Sequence, residues 1–285
     1  MAAGGPGLGA GWVRQAGPRR QAVRCAHSLD SCGESGADYA GRGPGAWVHV
    51  TASVDSSVVL GPGAVVGAGS VVGAGCVLMA NSVVGAGCRI GEGTSLGPCA
   101  SVHHADVGSH CIIHAGARIG ADGFGFFHDP ESGMTVKKPQ ELRVVVGDHV
   151  ELGANSCVDR GSWRDTVLGN HVKVDNLVQI GHNAVVGDHC ILCGHVALGG
   201  SSSLGDHVVM GGKSAVADHV EVAAGTMLAG KTGVMKSIKE SGVYAGFPAE
   251  PVREWRRGQV RLRQLLRKTR HRHRHHSMHD LEHDR

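Results

Sequence analysis

Residues 168–186 read Leu168-Gly-Asn-His-Val-Lys-Val174-Asp-Asn-Leu-Val-Gln-Ile180-Gly-His-Asn-Ala-Val-Val186, with an aliphatic residue at every sixth position. The step continues without a miss through Leu192, Leu198, Leu204, Met210, Val216, Val222 and Leu228. Upstream it runs through Val48, Val54, Leu60, Val66, Val72, Leu78, Val84, Ile90, Leu96 and Val102, then resumes after a one-residue deletion at Val107, Ile113 and Ile119. Residues 121–144 interrupt it; it returns at Val146, Leu152 and Val158, and residues 159–165 form a second break. Two residues before the aliphatic, the side chain is small (Ala64, Ser70, Cys76, Ser82, Cys88, Thr94).

A period of six is incompatible with a helix of 3.6 residues per turn, and the glycine load would weaken one. Short β segments with a glycine-assisted corner fit it. Three such sides close a triangular coil of about eighteen residues, and stacked coils pair as parallel strands. The period-six aliphatics then point inward and the small residues fill the corners. The run amounts to about seven or eight coils, a column of about 35 Å at strand spacing. Strand crossovers prefer the right hand, so spacing alone leaves the hand open.

Composition agrees. The 285 residues include 46 Gly but only 4 Trp, 2 Tyr and 4 Phe, so the core is built from Val, Leu, Ile and Ala. No Gly-X-Y triplet runs through the chain, which excludes collagen, and the aliphatic content excludes a low-complexity disordered protein. No apolar run approaches the ~20 residues of a membrane span. A net charge of +3 is too small to argue for nucleic acid. The 9 Cys are an odd number, several at small-residue positions of the repeat, and read as reduced, buried small hydrophobes. Cys190 and Cys193 form a lone CxxC without the second pair a zinc site needs.

Both ends are basic. Residues 1–45 carry Arg14, Arg19, Arg20 and Arg24 with no acidic residue before Asp30, the make-up of an organelle transit peptide or a disordered tail. The arginine content and modest serine content point to the mitochondrion, with the plastid as alternative. Residues 46–250 form the repeat domain, with the insertion loop at 121–144. Pro251 suits a helix start, and residues 251–270 read as a basic helix with Arg253, Arg256, Arg257, Arg261, Arg263, Arg267, Lys268 and Arg270 around Trp255, Val260, Leu265 and Leu266. Residues 271–285 read as a disordered, His-rich tail.

The repeat resembles the hexapeptide-repeat acyltransferases, whose solenoid is a left-handed parallel β-helix and whose members are homotrimers. Within them, Gly120-Ala-Asp-Gly-Phe-Gly-Phe126, Gly153-Ala-Asn-Ser-Cys-Val-Asp-Arg-Gly161 and Val174-Asp-Asn-Leu-Val-Gln-Ile-Gly-His-Asn183, supported by Lys138-Pro-Gln140, resemble the UDP-3-O-acylglucosamine N-acyltransferases of lipid A biosynthesis. The match covers residues 48–255, and Gly246-Phe-Pro-Ala249 resembles the family's closing turn. The implied fold is all-β, with a C-terminal helical extension. The implied reaction moves a (3-hydroxy)acyl chain from acyl carrier protein to the 2-amino group of UDP-3-O-acylglucosamine. No cofactor or metal is implied beyond the phosphopantetheine that carries the acyl chain.

By the same resemblance His182 is the general base, an imidazole suited to take a proton from an amine at neutral pH. Gly200 supplies a backbone N–H to the thioester oxyanion. Asn183, Ser201 and His219 hold the sugar nucleotide, with Gly125, Phe126 and Phe127 walling the cleft. Asp175 and Gln179 lie along the acyl groove; Asp175 is also placed to orient His182 from an adjacent turn. Asp159 and Arg160 suit an intersubunit ion pair. The basic helix suits an acidic acyl carrier protein, or simply caps the trimer.

One departure is plain. The bacterial relatives begin with a separate uridine-gripping domain, whereas here repeats start by residue 48. Two other readings stay open: a zinc hydratase of the γ-carbonic anhydrase type, for which His110 and His114 are the nearest spacing, and a catalytically silent trimeric scaffold.

Overall fold

The structure, a computed structural model, describes residues 39–41 and 45–279. The expected transit segment falls outside these residues except for Gly45 and strand Tyr39–Gly41, which pairs antiparallel with Trp47–His49.

From Trp47 the chain winds into a three-faced parallel solenoid, left-handed as the resemblance implied. On the first face, strands Trp47–His49, Val65–Val66, Val83–Val84 and Ser101–Val102 begin 18 residues apart and pair in register. The expected inward column is present: Val66, Val84, Leu96, Ile180 and Leu192 are fully buried. So are the small corner residues Ser70, Cys76, Ser82, Cys88 and Thr94. Only the first coils leave their aliphatics, Val54 and Leu60, partly open.

Two details differ from expectation. The faces hold eleven, eleven and nine strands, more than the seven or eight coils anticipated. The breaks at 121–144 and 159–165 are insertions within coils, as expected: Arg118–Ala121 pairs directly with Cys157–Asp159, and that strand with Gln179–Ile180. The corners also differ. Among the described residues sixteen non-glycine positions, His171, Leu177, Asn183, His189 and Lys213 included, hold φ between 45 and 62°. Left-handed backbone costs an L-residue roughly 1–2 kcal/mol, and here the interstrand ladder offsets that cost. Glycine after the inward aliphatic serves close approach instead: a Cβ on Gly67 would lie 2.6 Å from Ala86 N of the next coil. Two-residue strands carry little twist, and each coil bends through these left-handed corners, consistent with a hand opposite to the usual crossover.

The first insertion folds as a hairpin, Phe126–His128 against Thr135–Lys137. Arg143 pins its return, donating to Asp106 Oδ1 (2.9 Å), Ala105 O (3.0 Å) and Gly87 O (2.9 Å). The C-terminal helix spans Val252–His279 and contacts the closing strands Val243–Ala245 and Glu250–Pro251. It passes the expected limit at residue 270 and takes in most of the segment read as a disordered tail. After Gly258 nothing in the sequence breaks a helix, since Arg, Lys and His are all tolerated there. No helix among the described residues is long and apolar enough to cross a membrane.

Cys76, Cys88, Cys111 and Cys190 are buried free thiols that act as small core residues. Cys190 Sγ donates to Gly205 O (3.1 Å), and burial pushes its thiol up to about 11. Cys193 is also free, so the CxxC is not a disulfide.

The core is one residue thick in each coil, so it has few neighbours with which to close a void. Leu192→Ala, at a fully buried position, is expected to destabilise the protein by roughly 2–5 kcal/mol. Chemical denaturation measures this, and a loss below about 1 kcal/mol would mean that the coils collapse around the gap.

Candidate active site

The hexapeptide position following Gly after each inward aliphatic explains why a site opens at one corner. On another corner this position carries a ladder of Asp and Asn side chains, each accepting a backbone N–H from the coil before. Asp148 Oδ1 takes Ser109 N (2.7 Å), Asn170 Oδ1 takes Asp148 N (2.9 Å), Asp188 Oδ1 takes Asn170 N (2.6 Å) and Asp206 Oδ1 takes Asp188 N (2.9 Å). On the His182 corner the residue one coil on is Gly200, which has no side chain to fill the slot. The imidazole occupies it.

Two glycines clasp that ring. A Cβ on Gly200 would lie 2.6 Å from His182 Cε1 and 2.8 Å from Nε2. A Cβ on Gly123, in the first insertion, would lie 2.5 Å from His182 Cβ and 2.8 Å from Gln140 Oε1. His182 is half-buried, and that burial holds its pKa below the ordinary imidazole value. The Asp218 carboxylate opposes the shift, while Lys138 and His219 add to it. The ring is therefore neutral near pH 7 and able to accept a proton.

The ring faces a cavity of about 500 Å³ between the solenoid and the first insertion. Phe124 and Phe126 line one side, packed edge to face with centroids 4.9 Å apart. Leu198 and Gln179 line the solenoid side, and Asp122, Asp159, Asp218 and Lys137 supply charge. Lys137 pairs with Asp122.

His182, Gly200, Gln179 and Phe126 thus come together. Phe127 and Gly125 do not line the cavity: Phe127 pairs with Val136 in the hairpin, and Gly125 lies where a Cβ would meet Gln140 Nε2 at 3.1 Å. The Gly200 N–H, expected at the oxyanion, donates to Asp218 Oδ1 (2.8 Å). His219 is exposed one coil beyond, its N–H donating to Gly200 O (3.0 Å).

Three expected roles change. Asp175 does not orient His182; its carboxylate accepts from Gly194 N (2.9 Å) and Asn176 N (2.7 Å), and the carboxylate acting on the imidazole is Asp218. Asn183, expected at the sugar nucleotide, is 1% exposed and fastens the second insertion: its Oδ1 accepts from Ser162 N (2.7 Å) and its carbonyl from Arg164 Nε (2.7 Å). Ser201 is buried in the same network, its Oγ accepting from Asn183 Nδ2 and Trp163 Nε1, both at 3.3 Å. Both side chains are committed to the fold because residues 159–165 return over this corner.

Asp122, Gly123, Phe124, Lys137, Asp159 and Asp218 were not anticipated as lining or clasping residues. Asp218 follows His182 by two coils of 18, so the period itself marks it.

The two histidines of the zinc reading go elsewhere. His110 stacks on His149 (5.2 Å) at the foot of a column continuing through His171, His189 and His207. His114 Nε2 is 2.9 Å from Glu151 Oε1. Among the described residues no group of three His, Cys, Asp or Glu is placed to hold a metal ion.

Comparison with known proteins agrees with this architecture. The family described as bacterial transferase hexapeptide (six repeats) matches residues 69–104 and 165–200. An Arabidopsis thaliana protein named as a probable UDP-3-O-acylglucosamine N-acyltransferase 2, mitochondrial, is 46% identical over 161 residues, 56% of this chain and 53% of that protein. The UDP-3-O-acylglucosamine N-acyltransferase of Methylobacterium nodulans is 45% identical over 171 residues, 60% of this chain and 48% of its own. The chain spans about half the length of the curated relatives it matches. Among solved structures, a UDP-N-acetylglucosamine O-acyltransferase from Moraxella catarrhalis superposes with a TM-score of 0.56 at 24% identity, covering 73% of this chain and 72% of that one. The Arabidopsis UDP-N-acetylglucosamine acyltransferase gives 0.54 at 22% identity, with coverage of 73% and 72%. These structures share the fold.

Proposed function

We propose that this protein is an N-acyltransferase that moves an acyl chain from the phosphopantetheine thioester of acyl carrier protein to the 2-amino group of UDP-3-O-acylglucosamine. The observation that carries the reading is the neutral His182 ring, clasped between Gly123 and Gly200 and facing a cavity with an aromatic wall. The names of relatives at 45–46% identity supply the substrate.

In this reaction the amine lone pair attacks the thioester carbonyl carbon. The C–N bond forms, His182 takes a proton from the nitrogen, the C–S bond breaks and the imidazolium returns the proton to the departing thiolate. Phe124 and Phe126 flank the acyl chain or sugar, and Leu198 and Gln179 continue the groove. Binding of the thioester exchanges the Gly200 N–H from Asp218 to the developing oxyanion. The protein works as a homotrimer, in which a neighbouring subunit completes the cleft. Exposed Arg253, Arg256, Arg257, Arg261 and Arg263, with Glu254 the one acid among them, suit an acidic carrier protein. A mitochondrial location fits the basic, acid-poor leader and the name of the Arabidopsis relative.

The test is acylation by the full chain of UDP-3-O-acylglucosamine with acyl carrier protein thioesters, read by mass spectrometry. The expected product carries the new chain as an amide at the 2-nitrogen. A folded protein that transfers no acyl group from any chain length offered would refute the reading.

A further inference from the structure

Asp159 lines the cavity yet has no part in the reaction as described. It is 9% exposed, and the pairing of Val158 with Ile180 seats it one coil before Gly181, beside the His182 corner. Its Oδ2 accepts from Gln179 Nε2 at 2.9 Å. Among the described residues no cation forms an ion pair with it. Its neighbour Arg160 turns away, donating through Nε to Leu142 O (2.7 Å) and lying 3.9 Å from Asp122, while Lys137 is also committed to Asp122.

Burial is the main cause that lifts this carboxyl to about 6, against which the Gln179 hydrogen bond acts, so it is largely ionised at neutral pH. An anion buried beside a neutral amide is costly unless a cation meets it. The cavity that gives access to Asp159 also gives access to His182.

We infer that Asp159 is the specificity-determining counter-charge for a primary amine, receiving the acceptor's ammonium and selecting it over a hydroxyl. The inference rests on the acyl-transfer reading. Asp159 binds the ammonium on arrival, while Gln179 holds the carboxylate in place. Of the two protons the nitrogen loses, one leaves to solvent and the other passes through His182 to the departing thiolate. Attack on the carbonyl carbon returns positive charge to the nitrogen, and the carboxylate stabilises that charge in the transition state. A neutral hydroxyl offers no such charge in the ground state and is not favoured by Asp159.

The experiment measures binding of two acceptors to the full chain by calorimetry: UDP-3-O-acylglucosamine and its 2-hydroxy counterpart, UDP-3-O-acylglucose. The parent is expected to prefer the amine by about tenfold or more. Asp159→Asn, which keeps the shape and the contact to Gln179, is expected to bind both alike, and Asp159→Glu to recover part of the preference. Thermal unfolding confirms that each variant is folded. An amine preference that persists in Asp159→Asn, or is missing from the parent, overturns the inference. The two readings fail differently: a parent that acylates the amine while Asp159→Asn keeps the preference removes only the role of Asp159. A parent that neither binds nor acylates the amine removes both.

Discussion

Replacing His182 with alanine is expected to lower kcat/KM at least about a hundredfold, the usual scale for losing a positioned general base. The column should stand unchanged, because the ring lies outside the aliphatic core and its slot is lined by glycine. The parent's pH profile adds a second readout. The active form of the base is deprotonated, so kcat/KM rises with pH through the His182 pKa. Burial places that rise below the ordinary histidine range, against the opposing pull of Asp218. The residual activity of His182→Ala should lack this limb. Assays of both proteins across about pH 5–8 decide it; a variant that keeps the parent's rate and acid limb assigns the proton transfer to another group.

Gly120→Ala is expected to destabilise the protein by about 3 kcal/mol or more. Gly120 has φ +85°, and a Cβ there would lie 1.6 Å from His103 O, a backbone atom of the preceding coil that has nowhere to go. It stands where the register shifts between Ile119 and Ala121, the point at which the first insertion leaves the column. The substitution should therefore lower the unfolding midpoint and also displace the segment carrying Gly123 and Phe124. Thermal and chemical unfolding measure the first effect. A curve superimposable on the parent's would show that the coil before Gly120 yields, against the close-approach argument.

The period-six aliphatics made the architecture legible because a one-residue-thick core leaves no latitude in which side chain turns inward. Val66, Ile180 and Leu192 follow directly from the spacing. The two interruptions were legible as insertions because the period returns after each. His182 was legible through the residues around it. Less accessible were relations that depend on how an insertion folds back. Asn183 and Ser201 look like ligand residues in a linear motif, but Ser162, Trp163 and Arg164 arrive over the corner and engage them. Gly123 reaches His182 from the opposite side of the cleft, out of an insertion that has left the period, so no count of coils relates the two. Asp159 reads in sequence as half of an ion pair with Arg160, and only burial against Gln179 gives it another character. The corner residues with positive φ were hidden for a different reason. Asn and His enter that region readily, but Leu177 and Lys213 do so only because the ladder on either side dictates it.

The His182, Gly200 and Asp218 positions come from three successive coils at one column, so backbone pitch sets their separation. Such a centre keeps its address by counting whole coils, like teeth on a rack. Coils added or lost at either end leave the three positions in the same relation, since each layer touches only the layers next to it. Relatives could therefore differ in column height, or gain and lose whole modules at their ends, while an unchanged triplet keeps the same spacing.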